Sequence, residues 1–301
     1  MRFRSIYLFV AVLVITACGE KKAVEKQRET TISGTTVIAV DESCQPIVDE
    51  EAFIFRSINE KANLNIVYGS ENRAVGMLLN DSVRLAILSR ELSADEKAIL
   101  ARRNLVPQTD RFAVDAIALI VNNASTDTLI TIGELKRMLN GKAKTDVSIV
   151  FDNPNSSLVR YLKALSGSVD LKGRNIYALK DNKEVIRYVS EHQNAIGITG
   201  FNWLNDPDDD FADAVKKVKI VAVKDDSKKT EYFKPSQETL ALKQYPLIRD
   251  LYIINSTGKQ GLGSGFAYFL LGEKGQRILL QSGILPDSMP TREINIIKKT
   301  K

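Results

Sequence analysis

Four segments of the chain combine serine hydroxyls with predicted helix starts, and together they could bind an anion. Each follows a short apolar or β-branched run and precedes a helical pattern. A helix start presents free backbone N–H groups and the positive end of the helix dipole, and a serine hydroxyl adds another donor. We therefore predict an oxyanion site where these segments meet. They are Asp41-Glu42-Ser43-Cys44, Gly69-Ser70-Glu71-Asn72, Ser89-Arg90-Glu91 and Asn153-Pro154-Asn155-Ser156-Ser157.

Arg90 and Asp115 are the charged residues best suited to such a site. Arg90 follows an apolar strand pattern and could hold an oxyanion with two N–H groups, although a surface ion pair is the alternative. Asp115 lies inside the apolar run FAVDAIALIV, where an unpaired carboxylate would be costly. It could accept a proton-bearing ligand oxygen, hold Arg90, or belong to a purely structural pair. The serines could equally be simple N-caps.

Side chains for nucleophilic or metal chemistry are scarce. The chain has one histidine, His192, and two cysteines, Cys18 and Cys44. Ser-His-Asp, zinc and Cys-His sites therefore have little material, and no nucleophile-elbow or phosphate-loop motif occurs. We expect no cofactor, no metal and no enzyme activity, and we rank a hydrolase that depends on Ser156 last among three hypotheses. Cys44 is expected to be a small buried apolar residue and His192 to be exposed.

The amino terminus has the parts of a secretory signal followed by a lipidation site. Residues 1–17 contain a basic start, an apolar stretch too short to span a bilayer, and small residues before Cys18. Ile15-Thr16-Ala17-Cys18 resembles the bacterial lipobox, in which the cysteine is lipidated and becomes the first mature residue. Residues 18–34 are polar and aperiodic, so we expect a flexible tether between this lipid and the folded domain. A short membrane anchor is the alternative.

Composition favours a large folded body with no nucleic-acid partner. The 301 residues carry a formal net charge of +5, with acids and bases interspersed, and Arg2 and Arg4 lie in the signal. Such a mild excess gives weak grounds for nucleic-acid binding. The chain that follows the tether is long enough for two lobes.

Short β-branched runs alternate with amphipathic segments along the body, which predicts an α/β fold. The run Gly261–Phe266 is glycine-rich, and we expect a flexible loop there, before one or two helices over 265–280. Strands are predicted at 36–39, 64–68, 85–88, 148–151, 195–199, 218–223 and 247–254, and residues 112–121 form a long apolar run. Helix starts are predicted at Pro46, Ser93, Thr131, Ser156 and Asp181.

Six motifs in order resemble the substrate-binding proteins of phosphate ABC transporters, and the similarity runs from about residue 36 to 290. They are Ser89–Leu92 (SREL), Asp115–Asn122 (DAIALIVN), Leu135–Lys142 (LKRMLNGK), Asn194–Gly197 (NAIG), Tyr245–Tyr252 (YPLIRDLY) and the closing region from Phe269 to Pro286.

The resemblance implies a two-lobed periplasmic-binding-protein-like fold, with a mixed sheet in each lobe and a two-strand hinge. Residues 35–120 plus 247–301 would form lobe 1, and residues 121–246 lobe 2. The implied function is capture of phosphate or a similar oxyanion for an ABC transporter permease, at the cell envelope and on the periplasmic side. The implied ligand-binding residues are Ser43, Ser70, Ser89, Arg90, Asp115, Ser156 and Ser157.

The predicted site departs from this family in two places. The first loop carries Asp41 and Glu42 where the family has small neutral residues. The anion loop Asn155-Ser156-Ser157 lacks the family's glycine, and no arginine stands a few residues before it. Because added acids and a lost cation weaken the binding of a dianion, we keep a second hypothesis. In it, the chain is an envelope lipoprotein of the same fold with a regulatory or other non-transport role, and with a different ligand or none.

Overall fold

The computed structural model describes residues 29–143, 146–171, 173–205, 207–227 and 231–290. The predicted signal peptide, Cys18 and most of the predicted tether lie outside these ranges. Among the helices in these ranges, none has the length and apolar character needed to cross a membrane.

A mixed sheet runs through both halves of the molecule. In the described residues its strand order is β2-β1-β3-β11-β4-β8-β6-β7, with β12 and β9 also pairing with β4, while β5 and β10 form a small separate sheet. The strands are β1 (Gly34–Asp41), β2 (Ala62–Gly69), β3 (Leu85–Leu88), β4 (Gln108–Asn122), β5 (Leu129–Thr131), β6 (Ser148–Phe151), β7 (Ile176–Ala178), β8 (Ala195–Gly200), β9 (Val218–Ile220), β10 (Ala222–Lys224), β11 (Ile248–Asn255) and β12 (Leu285–Pro286).

Helices connect these strands and pack on the sheet, as the alternating pattern predicts. The capping boxes expected at Ser93 and Thr131 are both present, and the region 265–280 holds parts of two helices. The helices are α1 (Gln45–Ile58), α2 (Glu71–Leu79), α3 (Ala94–Ala101), α4 (Ile132–Leu139), α5 (Ser157–Ser166), α6 (Asn182–Glu191), α7 (Asn202–Asn205), α8 (Asp209–Val215), α9 (Gln237–Ala241), α10 (Leu262–Leu271) and α11 (Glu273–Gln281), with a 3₁₀ turn at Glu42–Cys44.

Strand β4 carries the chain from one half of the sheet to the other. It pairs with β11 up to Ala116 and with β8 from Ile117 onwards. We call the side with β1, β2, β3 and β11 the first half, and the side with β6, β7 and β8 the second half. The returning chain runs beside β4: Ile117 N donates to Leu247 O at 2.8 Å, and the Tyr245 hydroxyl donates to the Ile117 carbonyl at 2.7 Å. These two segments form the predicted two-strand hinge.

The position of the hinge bears on the predicted lobes. The partner change falls between Ala116 and Ile117, whereas the predicted lobe boundary follows residue 120. The lobe boundaries stay a prediction. Residues 112–121 of β4 are all buried, because a strand covered on both faces has no solvent side, and this explains its continuous apolar run.

The expectation of a flexible loop at Gly261–Phe266 is wrong. Helix α10 begins at Leu262, and Gly263 and Gly265 are buried within its first turns. A Cβ atom added at Gly265 would overlap the carbonyl oxygen of Thr31. The glycine therefore lets the helix contact the amino-terminal segment closely, and a glycine that serves close packing looks in sequence like one that serves a loop.

Candidate functional site

The predicted helix-opening segments meet in a cleft between the two halves of the sheet. Strands β1, β2 and β3 are parallel, and the segments that follow them emerge at one edge, as expected for ligand-binding loops of open α/β sheets. The segment after β6 faces them from the second half. The hydroxyls of Ser43 and Ser157 lie 3.1 Å apart across the cleft, although 114 residues separate them in sequence.

The remaining predicted serines have different surroundings. Ser156 is buried and caps α5: its hydroxyl accepts from Val159 N at 3.1 Å and donates to Asp152. Ser89 is buried and donates to Glu71 at 3.2 Å. Ser70 stands at the start of α2, half-buried, and makes no side-chain cap hydrogen bond. The structure therefore brings Ser43, Ser89 and Ser157 into polar contacts around the cleft, and leaves Ser70 at its margin.

Asp115 forms a buried ion pair with Arg249. The two residues are direct neighbours in the β4–β11 register, and the Asp115 carboxylate accepts from Arg249 Nη2 at 2.6 Å and from Nε at 3.0 Å. Although burial works against the charged guanidinium, Asp115 raises the pKa of Arg249. The sequence hypothesis that Asp115 holds an arginine is therefore correct in kind, but the arginine is Arg249 and not Arg90.

Arg249 belongs to a cluster around the Ser43 carbonyl. This oxygen accepts from Asn202 Nδ2 at 2.9 Å, from Trp203 Nε1 at 3.3 Å and from Arg249 Nη2 at 3.5 Å. Within the described residues, three buried atoms here have no hydrogen-bond partner: Asp41 Oδ2, Asn202 Oδ1 and Arg249 Nη1. Because buried polar atoms are nearly always satisfied, two acceptors and one donor together suit a ligand that can both accept and donate.

The carboxyl groups of the cleft are shifted towards their neutral forms. Burial raises the pKa of Asp41, and the nearby Ser157 hydroxyl and Arg249 charge act against this rise. Burial also raises the pKa of Glu42, and that of Asp152 to about 7. A carboxyl that is partly protonated near neutral pH repels an anion less and can donate a hydrogen bond. Burial therefore favours the neutral forms of Asp41 and Glu42, the acids found as departures in the sequence.

A second polar cluster surrounds the carboxylate of Glu71, at the start of α2. Its Oε1 accepts from Arg160 Nε at 2.7 Å and from Arg90 Nε at 2.9 Å, and its Oε2 accepts from Arg160 Nη2 at 3.0 Å. The other face of Arg90 binds the Glu96 carboxylate, at 2.7 and 2.9 Å. The predicted chelating cation is thus engaged by two protein carboxylates.

The cleft is closed by contacts between protein groups. Besides Ser43 with Ser157, Asn153 of the second half donates to Glu42 of the first. Arg160 and Trp203, both of the second half, reach Glu71 and the Ser43 carbonyl. These contacts hold the two halves together around the site.

Sequence reasoning missed Arg160, Asn202 and Arg249 as members of the site, and it included Asp41 and Glu71 only as parts of the helix-opening segments. Arg249 left a readable signal, since it is spaced two residues from Leu251 and four from Ile253, and therefore shares the buried positions of β11 with them. A charged residue on the buried face of a strand needs a buried partner. Arg160 lies one turn after Ser156, which caps helix α5. This helical spacing was a second signal, and it could have identified Arg160 as a member of the site.

Two residues considered for chemistry lie where the sequence predicted. Cys44 is buried, and burial raises the pKa of its thiol, which keeps it protonated and unreactive. His192 is exposed at the end of α6 and stacks on Tyr188 at 3.8 Å between ring centroids.

Comparison with protein families and curated proteins gives consistent matches. A family model described as a PBP superfamily domain matches residues 25–274. The phosphate-binding protein PstS of Borreliella burgdorferi is 25% identical over 305 residues, which cover 94% of this chain and 98% of that protein. A protein of the same name from Staphylococcus epidermidis is 26% identical over 201 residues, which are 62% of this chain and 59% of the relative.

Solved structures share the architecture. An ABC-type phosphate transport receptor from Vibrio cholerae superposes with a TM-score of 0.64 at 18% identity, covering 84% of this chain and all (100%) of that one. A Clostridium perfringens protein with bound phosphate gives a TM-score of 0.71 at 19% identity, covering 85% and 100%. These likenesses confirm the predicted two-lobed fold.

Proposed function

The chain belongs to the family whose model is described as a PBP superfamily domain and matches residues 25–274. On this basis we propose that it captures phosphate, or a similar oxyanion, between its two lobes for an ABC transporter. One observation carries the proposal. The Ser43 and Ser157 hydroxyls meet across the cleft, in a cluster where Ser43 O also contacts the buried Arg249, whose Nη1 has no partner among the described residues. The Borreliella burgdorferi relative, which aligns over 98% of its length, is a phosphate-binding protein.

The proposed binding mode uses both donors and acceptors of the cleft. The two serine hydroxyls and Arg249 Nη1 donate to oxygens that carry charge, and the Asp41 carboxyl accepts from an oxygen that carries a proton. Phosphate keeps such a proton near neutral pH and sulfate does not. Binding from both halves at once stabilises the closed arrangement.

Calorimetry on the full chain in detergent tests this binding. We expect heat with phosphate, and about tenfold weaker binding or more in Ser157→Ala, because a hydrogen bond to a charged group contributes about 1.5–3 kcal/mol. Ser57→Ala, which changes an exposed serine on α1, is the matched control and should bind as the wild type does. Heat with sulfate or an organic anion but none with phosphate rejects the proposal.

The proposed location is the outer side of a bacterial membrane, held by a lipid on Cys18 and facing a permease. The signal pattern and the lipobox-like Ile15–Cys18 support it. Cells given an acyl label should incorporate it into the wild type and not into Cys18→Ala, whereas Cys44→Ala should label normally because Cys44 is buried in the domain. Label that persists in Cys18→Ala contradicts lipidation at this residue.

We also propose that the chain has no catalytic role. The Ser156 hydroxyl donates a hydrogen bond to Asp152, a pairing that resembles a nucleophile with a base. The same hydroxyl oxygen caps helix α5, which supports a structural role. Esters and phosphoesters should not be turned over. Turnover that disappears in Ser156→Ala would support a hydrolase.

The excess of cleft carboxyls favours a second candidate of a different class, an envelope lipoprotein with a non-transport role. Asp41, Glu42 and Asp152 have raised pKa values because they are buried, and each would repel a dianion when ionised. The same calorimetric series separates the candidates. Absence of heat with every inorganic oxyanion favours the second.

A further inference from the structure

The carboxylate of Glu71 lies among groups that would suit a bound anion. Glu71 is 2% exposed, and it is the first residue of α2. Two guanidiniums and the Ser89 hydroxyl donate to its two oxygens at distances between 2.7 and 3.2 Å. Paired guanidiniums with a hydroxyl are a donor set that can bind either a carboxylate or a phosphate group. In this chain the carboxylate of Glu71 occupies this donor set.

This ion pair also connects the two halves of the molecule. Arg160 comes from α5 of the second half, whereas Arg90 and Glu71 come from the first. The Arg160 side chain is 42% exposed at the cleft, so its contact with Glu71 is partly open to solvent. Charge attraction across the cleft therefore favours closure without any ligand.

We propose that Glu71 is a built-in anion, which closes the empty cleft and competes with an incoming oxyanion for Arg160 and Arg90. This inference rests on the proposed function, and it adds Arg160 and Arg90 to the donors that an oxyanion could use beside Ser43, Ser157 and Arg249. An oxyanion can use these guanidiniums only when the Glu71 carboxylate moves away from them. The measured affinity is then reduced by the small fraction of molecules in which that has happened.

The chain contains its own reporter of closure. Trp203 is its only tryptophan. It is 4% exposed, and its Nε1 donates to the Ser43 carbonyl across the cleft at 3.3 Å. Separation of the halves would break this bond and expose the Nε1 edge of the indole to water, which shifts its fluorescence to longer wavelength. The rest of the ring would stay packed against Phe211 of the second half.

The experiment compares the full-length wild type with Glu71→Gln in detergent. The wild type should emit at short wavelength, and phosphate should leave this emission unchanged. Glu71→Gln should emit at longer wavelength when empty, because the ion pair with Arg160 is lost, and phosphate should reverse the shift. Its phosphate affinity should be at least tenfold tighter than that of the wild type, because the competing charge is gone.

Arg160→Gln and Glu273→Gln complete the test. Arg160→Gln breaks the same ion pair from the other side, so it should give the same shift in emission but weaker phosphate binding. If Glu71→Gln fails to fold, the emission of Arg160→Gln still tests whether this ion pair closes the empty cleft. Glu273, like Glu71, begins a helix and pairs with an arginine, but at the surface. Glu273→Gln should match the wild type in both measurements.

Two results would overturn the inference: unshifted emission in both cleft variants, or phosphate affinity in Glu71→Gln equal to or weaker than in the wild type. Absence of phosphate binding in the wild type and in Glu71→Gln is a different failure. It rejects the proposed function and the competition together.

Discussion

At the scale of single residues, Glu51 shows how burial sets charge in this protein. It lies on α1, is fully buried, and neither carboxyl oxygen has a partner among the described residues. Burial, with a smaller effect of Glu50, raises its pKa to about 9. In the unfolded chain the group ionises near its ordinary value of 4.5. The folded state therefore binds a proton that the unfolded state releases, and stability falls as the pH rises from about 4.5 to about 9.

Glu51→Gln should remove this pH dependence. At pH 8.5 we expect the variant to exceed the wild type in free energy of unfolding by about 2 kcal/mol or more, since each pKa unit corresponds to about 1.4 kcal/mol. At pH 4.5 the difference should be much smaller, because Glu51 is then protonated in the folded state and about half protonated in the unfolded state. Urea unfolding at both pH values measures the difference. Glu60→Gln, at an exposed position, is the control, and a Glu51 effect of the same size at both pH values would contradict the explanation.

The same scale shows what a sequence can and cannot say about charged pairs. An acid inside FAVDAIALIV requires a partner on energetic grounds, and that requirement is met. The identity of the partner depends on which residue of β11 lies opposite Asp115, and this register places Arg249 there. Register is set by packing across the sheet, so Arg90, the nearest candidate by motif, was the wrong choice of partner.

At the scale of elements, helix starts were predictable, whereas the role of Gly265 was not. Capping boxes at Ser93 and Thr131 are local patterns whose partners lie three residues away. The role of Gly265 depends on Thr31, more than two hundred residues earlier in the chain. Local sequence therefore predicts features that depend on residues a few positions away, such as helix caps. It does not predict features that depend on contact with a distant segment of the chain.

Two glycine substitutions test this distinction. Gly265→Ala should lower the free energy of unfolding by about 1–3 kcal/mol, because its Cβ overlaps backbone that has little room to move. Gly76→Ala, in α2, meets no atom within 4 Å and should raise stability by up to about 1 kcal/mol through helix propensity. Denaturant unfolding of both variants gives the comparison. A neutral Gly265→Ala would show that the amino-terminal segment can move aside.

At the scale of the whole molecule, strand order brings the site together and long-range contacts close it. Convergence of the helix-opening loops was predictable, because parallel strands end at a common edge. Closure was not, because Glu71 and Arg160 are 89 residues apart and on opposite halves. The charge of the resulting cleft depends on the folded arrangement of both halves. Burial raises the pKa of Asp152, and the carboxyls of Asp41 and Glu42 raise it further.

The affinity of the cleft for anions should therefore depend on pH through Asp152. Its pKa is about 7, and an anion binds better when this carboxyl is neutral, so affinity falls as the pH rises from 6 to 8. Because phosphate also titrates in this range, the comparison is with Asp152→Asn. The two proteins should bind phosphate similarly at pH 6, and the wild type should bind about threefold to tenfold more weakly at pH 8, since one proton is involved. Calorimetry at both pH values measures this ratio, and a ratio that does not change with pH contradicts it.

Strand β1 separates the first described residues of the chain from the cleft. Glu29 accepts from the backbone N–H of Leu262, which fixes the incoming segment near the amino end of β1, whereas Asp41 lies at the other end. Eight residues of strand extend about 26 Å. A bilayer attached through the preceding residues would thus pull on the end of the molecule remote from the opening, and the mouth of the cleft would stay accessible to solute and to a neighbouring protein.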